Sequence, residues 1–227
     1  MSNARAEVVS VNVGLPREFE YNGRPARSAI WKSSVAGRVA AKGINLAGDE
    51  QADRAVHGGP DKALYAYASE DTRWWEEQLG RSLAAGEFGE NLTTSGMDVN
   101  GALIGERWAL GTVVVEVSEP RVPCWRLGVR MNDQAFPRRF TEAMRPGAYL
   151  RVVVEGEVER GNEIRILERP DHDLTVAGMF RIYTRERQNA GRLLSVPAVS
   201  ESWKRWAEDA LEKAKSRVAR RVEPGCG

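Results

Sequence analysis

The chain is poor in cysteine and histidine, with two of each among 227 residues. A zinc finger or ribbon needs four such ligands at close spacing, so that class of function is excluded. Cys226 sits in Gly225-Cys226-Gly227, a stretch whose sequence carries no obvious ordering signal, and a stabilising disulfide to Cys124 is not expected. No apolar run approaches the roughly 20 residues that span a bilayer. The sequence also opens without the basic-then-apolar pattern of a secretory signal, so the expected compartment is the reducing cytoplasm. An excess of one charge is missing as well. The 33 Lys and Arg against 32 Asp and Glu give +1, which calls for neither nucleic acid nor an anionic membrane as partner. Internal repeats and low-complexity tracts are absent.

What is present is the composition of an ordinary water-soluble protein, 42% hydrophobic and 29% charged, long enough to bury a core without staples. The first two-thirds read as β structure. In Glu7–Val13, Val9, Val11 and Val13 share one face while Val8, Ser10 and Asn12 share the other. Thr112–Ser118, Tyr149–Glu155 and Glu163–Leu167 repeat the period of two, and Ala63–Tyr67 reads as a further strand. Glycines punctuate these runs, so the pattern predicts a mainly β fold closed into a barrel or sandwich. One helix interrupts it, with Ser69 as N-cap, Glu70 and Asp71 in the first turn and Gly80 as its end. After Pro170 the period changes. Thr175 caps a helix with Val176, Met179, Phe180 and Tyr183 on one face, a second stretch covers about 185–194, and Ser200 caps a longer helix bearing Trp203, Trp206, Ala207, Ala210 and Leu211. The expected division is a β domain over residues 5–170 and a small helical one over 171–221. The basic stretch Lys213–Arg221 reads as a solvated helix end.

Three segments carry candidate chemistry. In Pro120-Arg121-Val122-Pro123-Cys124 two prolines stiffen the exit of a strand. Arg121 and Arg126 stand near the thiol, and guanidinium groups favour the thiolate that ligates soft metals. From composition alone, a small buried hydrophobe is the commoner role of such a cysteine. In Gly48–Lys62, Gly58 and Gly59 flank His57, so backbone N–H groups can approach an anion, and Arg54 and Lys62 add positive charge. A plain turn with a surface histidine explains the same residues. In Gly86-Glu87-Phe88-Gly89-Glu90-Asn91-Leu92, Asn91 can offer a donor and an acceptor to a heterocycle, or tolerate a left-handed turn. Asn12 and Arg151 project opposite the valine stripes of their strands, either outward or into a cavity.

Taken in order, these segments resemble the MOSC-domain family, named after the C-terminal domain of molybdenum cofactor sulfurase, and within it the bacterial YiiM-like subgroup. The resemblance rests on Val11-Asn12-Val13-Gly14-Leu15-Pro16-Arg17-Glu18, on Gly48–Lys62 with His57-Gly58-Gly59-Pro60-Asp61-Lys62, and on Phe88-Gly89-Glu90-Asn91-Leu92. Pro120-Arg121-Val122-Pro123-Cys124 and Pro146-Gly147-Ala148-Tyr149 complete it. It covers residues 5–168, and residues 171–212 resemble the three-helix appendage of that subgroup. The position two after the cysteine, often Lys in relatives, is Arg126 here. The resemblance implies a MOSC-type β-barrel with flanking helices, followed by a small C-terminal α-helical unit.

It further implies a molybdenum cofactor (Mo-molybdopterin) whose metal is ligated by Cys124. The cofactor-binding candidates are Arg121, Asn91, Asp61, Lys62, Gly58 and Gly59, with Asn12, Arg54, Glu90 and Arg151 behind them. The implied activity is reduction of N-hydroxylated compounds such as hydroxylamino-purines, amidoximes and hydroxylamines, with Cys124 and His57 as catalytic candidates. His57 is the proposed proton donor because it titrates near neutral pH. No GxGxxG follows a predicted strand and no cysteine set can hold a cluster, so electrons are expected from a separate flavoprotein or iron–sulfur protein. The helices after Pro170 offer that partner a docking surface, and a homodimer is compatible with the reading. The alternative is a cofactor carrier or sulfur-transfer module without turnover, or a binding domain with no redox role.

Overall fold

The computed structural model describes residues 5–52 and 58–222. Its first strands are β1 (Glu7–Val13), β2 (Arg17–Tyr21), β3 (Arg24–Ser28), β4 (Ser33–Ser34), β5 (Val39–Lys42) and β6 (Asn45–Leu46). A 3₁₀ turn at Pro60–Lys62 leads into β7 (Leu64–Ala68), α1 (Ser69–Leu79) and β8 (Leu92–Ser95). Then come β9 (Arg107–Leu110), β10 (Val113–Pro120), α2 (Trp125–Met131) and α3 (Phe136–Ala143). The strands end with β11 (Ala148–Val154), β12 (Gly156–Val158) and β13 (Ile164–Glu168). The helices α4 (Val176–Thr184), α5 (Gly191–Leu194) and α6 (Glu201–Val222) follow. Among the described residues no helix is long and apolar enough to cross a membrane.

Eight strands form one sheet in the order β13-β9-β10-β11-β7-β8-β1-β4. Its neighbours are antiparallel except β7 and β8, which run parallel and are joined by α1, the kind of crossover a parallel pair requires. The sheet curls. Glu7 of β1 bridges to Glu163 beside β13, Val8 N–H donates to Asn162 O at 2.9 Å, and Ile164 N–H donates to Ala6 O at 2.8 Å. The ladder does not continue around as the expected closed barrel. The expected mainly β composition is also corrected: the fold is mixed α/β, 29% helix and 31% strand. Two short helices that the sequence pattern does not announce, α2 and α3, account for part of the difference.

Most of the anticipated strands and helices appear at their expected places, with local departures that have physical causes. In β10, Val113, Val115 and Val117 are all fully buried, as the alternation predicts. In β1 the alternation breaks, because a bulge between Val8 and Ser10 turns Val8 to the same core as Val11. In β13, Ile164 is buried while Ile166 and Leu167 are exposed. Ser69 is the first helical residue rather than the cap of α1, and Ala68 holds the extended cap position without a side-chain bond. Gly80 ends that helix at φ 64 as expected. Thr175 does cap α4, its hydroxyl oxygen accepting from Gly178 N–H at 2.9 Å.

Two apolar clusters hold the molecule. The larger joins Val11, Leu64, Leu92, Trp108, Val115 and Leu150 of the sheet with Val176, Met179, Leu193, Trp203 and Ala207 of the C-terminal helices. The second lies on the other face of β7, where Tyr65 and Tyr67 meet Trp75, Phe88, Leu127, Phe136 and Phe140. Strand β7 is therefore buried on both sides, which explains why none of Leu64–Ala68 is charged.

Candidate functional site

Strand β10 ends at Pro120, paired with Ala148 of β11. Beyond it Arg121, Val122 and Pro123 run without regular structure to Cys124, which is extended at φ −128, ψ 177 just ahead of α2. The two prolines explain the abrupt end: Pro123 has no N–H for a further ladder bond and fixes the path into the helix. Cys124 is thereby held as a half-buried thiol in the lining of an open cleft. Lys32, Lys62, Arg121 and Arg126 bring four cations to its described lining, against the carboxylates of Asp49 and Glu50. Tyr65, Tyr149, Gln51 and Asn91 also line it.

Arg121 is buried. Its guanidinium carbon stands 5.1 Å over the Tyr65 ring and 5.6 Å from that of Phe140, and Nη1 donates to Phe88 O at 2.8 Å. Burial works against its charge, but Tyr65, Tyr149 and Cys124 outweigh that, so its pKa stands above the ordinary arginine value. The attraction to Cys124 is mutual, so this cation favours the thiolate. Burial also raises the pKa of Tyr65 and Tyr149, leaving both as neutral phenols. The Tyr65 hydroxyl donates to Pro146 O at 2.8 Å. Gly147 follows at φ 66, where a Cβ would stand 2.7 Å from Ala66 O and from the Tyr67 ring. Pro146-Gly147-Ala148-Tyr149 is thus a close-packed corner against β7.

On the next wall Lys32 and Asp49 form a buried ion pair. Burial lowers the pKa of Lys32 against the pull of Asp49. Asp49 also accepts from Gly14 N–H at 2.8 Å and from Asn91 Nδ2 at 2.9 Å. Asn91 Nδ2 reaches Asn12 O at 3.3 Å, and its Oδ1 accepts from Tyr65 N–H at 3.1 Å. Asn91 thus ties β7 to β1 at the cleft edge. Asn12, fully buried, accepts from Ser10 Oγ at 2.8 Å and donates to Thr93 Oγ1 at 3.1 Å. Glu90 is buried beneath them. Its carboxylate accepts from Gly86 N–H at 2.6 Å, Phe88 N–H at 3.0 Å and Thr93 Oγ1 at 3.0 Å.

The MOSC domain family model matches residues 53–165, a segment that includes the cleft's cysteine. A Bacillus subtilis (strain 168) protein, YflK, is 36% identical over 207 residues, covering 90% of this chain and 94% of its own length. The crystal structure of YiiM from Geobacillus stearothermophilus superposes with a TM-score of 0.76 at 34% identity. It covers 91% of this chain and 99% of its own.

The chain belongs to the MOSC-domain family.

A Gibberella moniliformis (strain M3125 / FGSC 7600) protein named Reductase is 33% identical over 159 residues, which make up 68% of this chain and 28% of that protein.

Within this MOSC domain the fold brings Cys124, Arg121, Lys62 and Asn91 to one cleft. Asp61 and Arg151 pair with each other, Arg151 also holding Glu116 at 2.7 Å and Ala198 O at 2.9 Å. They thereby link the Pro60–Lys62 turn to β10 and to the segment before α6. Gly59, at φ 95, donates its N–H to Gln51 Oε1 at 2.8 Å. Asn12, Glu90, Gly58, Gly59, Asp61 and Arg151 are absent from the described lining. Arg54, His57 and Cys226 lie outside the described residues. Sequence reasoning missed Lys32, Asp49 and the two tyrosines as cleft residues. Tyr65 had a usable signal, since it sits in an expected strand opposite Leu64.

The donor set fits a cofactor that brings its own metal ligands. Among the described residues no three His, Cys, Asp or Glu are grouped as a metal site, so a metal held here would need most of its ligands from the cofactor, with Cys124 as the thiol the cleft offers. The four cations around it suit an attached phosphate.

Proposed function

We propose that this protein binds a molybdenum cofactor, Mo-molybdopterin, with the Cys124 thiolate as the chain's ligand to the metal, and that it reduces N-hydroxylated compounds. The observation that carries the reading is the placement of Cys124 at the rim of a cleft lined by Lys32, Lys62, Arg121 and Arg126. Family membership and the name Reductase on a fungal relative support it. When bound, the metal supplies two electrons. The reaction R–NHOH + 2 H⁺ + 2 e⁻ → R–NH₂ + H₂O breaks the N–O bond, one proton leaving in water and one remaining on nitrogen.

The chain's own part is binding and protonation. The cations would hold the cofactor phosphate, and the Arg121 charge favours the thiolate form of Cys124. The neutral Tyr65 and Tyr149 pack against that guanidinium without competing for it as anions. His57 is the proposed proton donor. Electrons come from a separate flavoprotein or iron–sulfur protein, since two cysteines hold no cluster, and the cytoplasm is the matching compartment.

The test is expression in a host that makes molybdopterin, followed by assay of bound molybdenum and of hydroxylaminopurine reduction with a chemical electron donor. Bound metal with turnover is expected. Bound metal without turnover on any N-hydroxylated compound overturns the reductase reading in favour of a carrier.

A further inference from the structure

Strands β2 and β3 form a two-stranded hairpin that shares no ladder with either of the other sheets. Asn22 and Gly23 turn it, at φ 52 and 72, the left-handed pair that a two-residue hairpin turn demands. A hairpin alone is barely stable in water, so its place depends on what it packs against. Phe19 meets the Trp31 ring edge-on at 5.0 Å and 78°, and Tyr21 stacks on Trp125 at 4.2 Å and 19°. Phe19 also reaches Trp125, at 6.0 Å. Trp125 directly follows Cys124, so these rings clasp the hairpin to the segment that carries the thiol.

The register divides the hairpin's charges between its two faces. Arg17 lies opposite Ser28, Phe19 opposite Ala26 and Tyr21 opposite Arg24, while Glu18 lies opposite Arg27 and Glu20 opposite Pro25. Alternation therefore puts Arg17 and Arg24 on the aromatic face and Glu18, Glu20 and Arg27 on the other. Arg17 and Arg24 are exposed, and Phe19, Tyr21 and Trp125 are half-buried. The Arg126 guanidinium carbon stands 4.7 Å over the Trp125 ring and brings a third cation to the same stack. Aromatic rings edged by arginine have the composition of an interface centre rather than of ordinary surface. Three like charges there select an acidic partner.

We propose that this face is the docking surface for the electron donor, a redox protein that presents an acidic face. The partner's identity as an electron donor rests on the reductase reading; the attraction for an acidic protein does not. A donor has to bring its own redox group close to the metal, and the Tyr21–Trp125 stack continues through one peptide bond into the proposed ligand, Cys124. Each turnover oxidises two molecules of a one-electron donor, and those two electrons with two protons convert R–NHOH into R–NH₂ and water. The partner therefore sits on the hairpin and not on the helices after Pro170.

The probe is flavodoxin, a small acidic FMN protein. It serves reduced as the electron source for the molybdenum-loaded chain, and oxidised as a calorimetric ligand for the chain without cofactor. Arg17→Glu and Arg24→Glu are each expected to weaken binding and to lower the second-order rate constant of electron delivery about tenfold at low salt. Turnover with reduced methyl viologen, a small cationic donor, does not fall. Arg27→Glu reverses the same charge on the opposite face and is expected to change the flavodoxin rate by less than about twofold. A wild type that neither binds flavodoxin nor takes electrons from it overturns the docking surface, as does a loss in Arg27→Glu equal to that in Arg24→Glu. Duplex DNA bound through Arg17 and Arg24 as tightly as flavodoxin also overturns it, in favour of a general polyanion site. A loaded chain without turnover on either donor, whose cofactor-free form still binds flavodoxin through Arg17 and Arg24, refutes the reductase reading while upholding the acidic-partner surface.

Discussion

The guanidinium of Arg121 lies 5.1 Å over the ring of Tyr65, in the interior, three residues before the cysteine at the cleft rim. This pair fastens the segment that carries the thiol to β7, the strand buried on both faces. It also places a fixed positive charge beside Cys124.

Arg121→Met removes the charge while keeping much of the volume. In a Cys226→Ser background, the pH midpoint of Cys124 alkylation is expected to move up, because the neighbouring cation no longer favours the thiolate. The lost hydrogen bond to Phe88 O and the lost ring contact are expected to reduce stability by about 1–3 kcal/mol. An unchanged midpoint, read by rate against pH, contradicts the electrostatic role.

Glu90 is a brace with three donors on one buried carboxylate. Glu90→Ala strands the amides of Gly86 and Phe88, and the expected loss is about 2–4 kcal/mol. Urea denaturation measures it, and a loss under about 0.5 kcal/mol, the scale of a surface substitution, contradicts the bracing role.

Asp49→Ala leaves the Lys32 ammonium buried without its counter-charge and removes the acceptor of Gly14 and Asn91. A loss of about 3–5 kcal/mol is expected, as for other buried pairs broken on one side. Lys32→Met is expected to be milder, because Asp49 keeps its Gly14 and Asn91 donors. The reverse order in equilibrium unfolding contradicts this account of the wall.

Asp71, in the first turn of α1, gives one part of the pH dependence. Burial raises its pKa against the opposing hydrogen bonds from Arg145 and Asn100. The folded state therefore binds this proton more tightly than the unfolded one. Its contribution is full below the unfolded value of 3.8 and is lost as pH rises through the folded value. Asp71→Asn stands in for the protonated form, so the Tm difference, variant minus wild type, is expected to grow between pH 4 and pH 8. A difference that shrinks with pH contradicts the assignment.

Much of the fold was legible wherever a period repeats. Val113, Val115 and Val117 announce β10, and Val176, Met179, Phe180 and Tyr183 announce α4. What stayed hidden has local causes. The β1 bulge costs the sequence no turn signal, so Val8 looked as if it shared a face with Ser10. Helices α2 and α3 span seven and eight residues, too short for a helical period to stand out, and Gly128 and Pro137 further blur them. Closure of the sheet depends on how the ends of β1 and β13 meet, which no local pattern encodes.

The site was legible where residues are near in sequence. Arg121 and Cys124 share one proline-stiffened segment, and Lys62 follows the glycine turn. Lys32 and Asp49 were not, because a buried ion pair is recognisable only once two separate loops have been folded together.

The most direct test of the central claim is molybdenum per chain, by elemental mass spectrometry, for wild type and Cys124→Ser purified from a molybdopterin-producing host. Near-stoichiometric metal in the wild type and its loss in the serine variant are expected, with both proteins equally folded by circular dichroism. A serine variant that retains the wild-type metal content contradicts the assignment of Cys124 as the ligand.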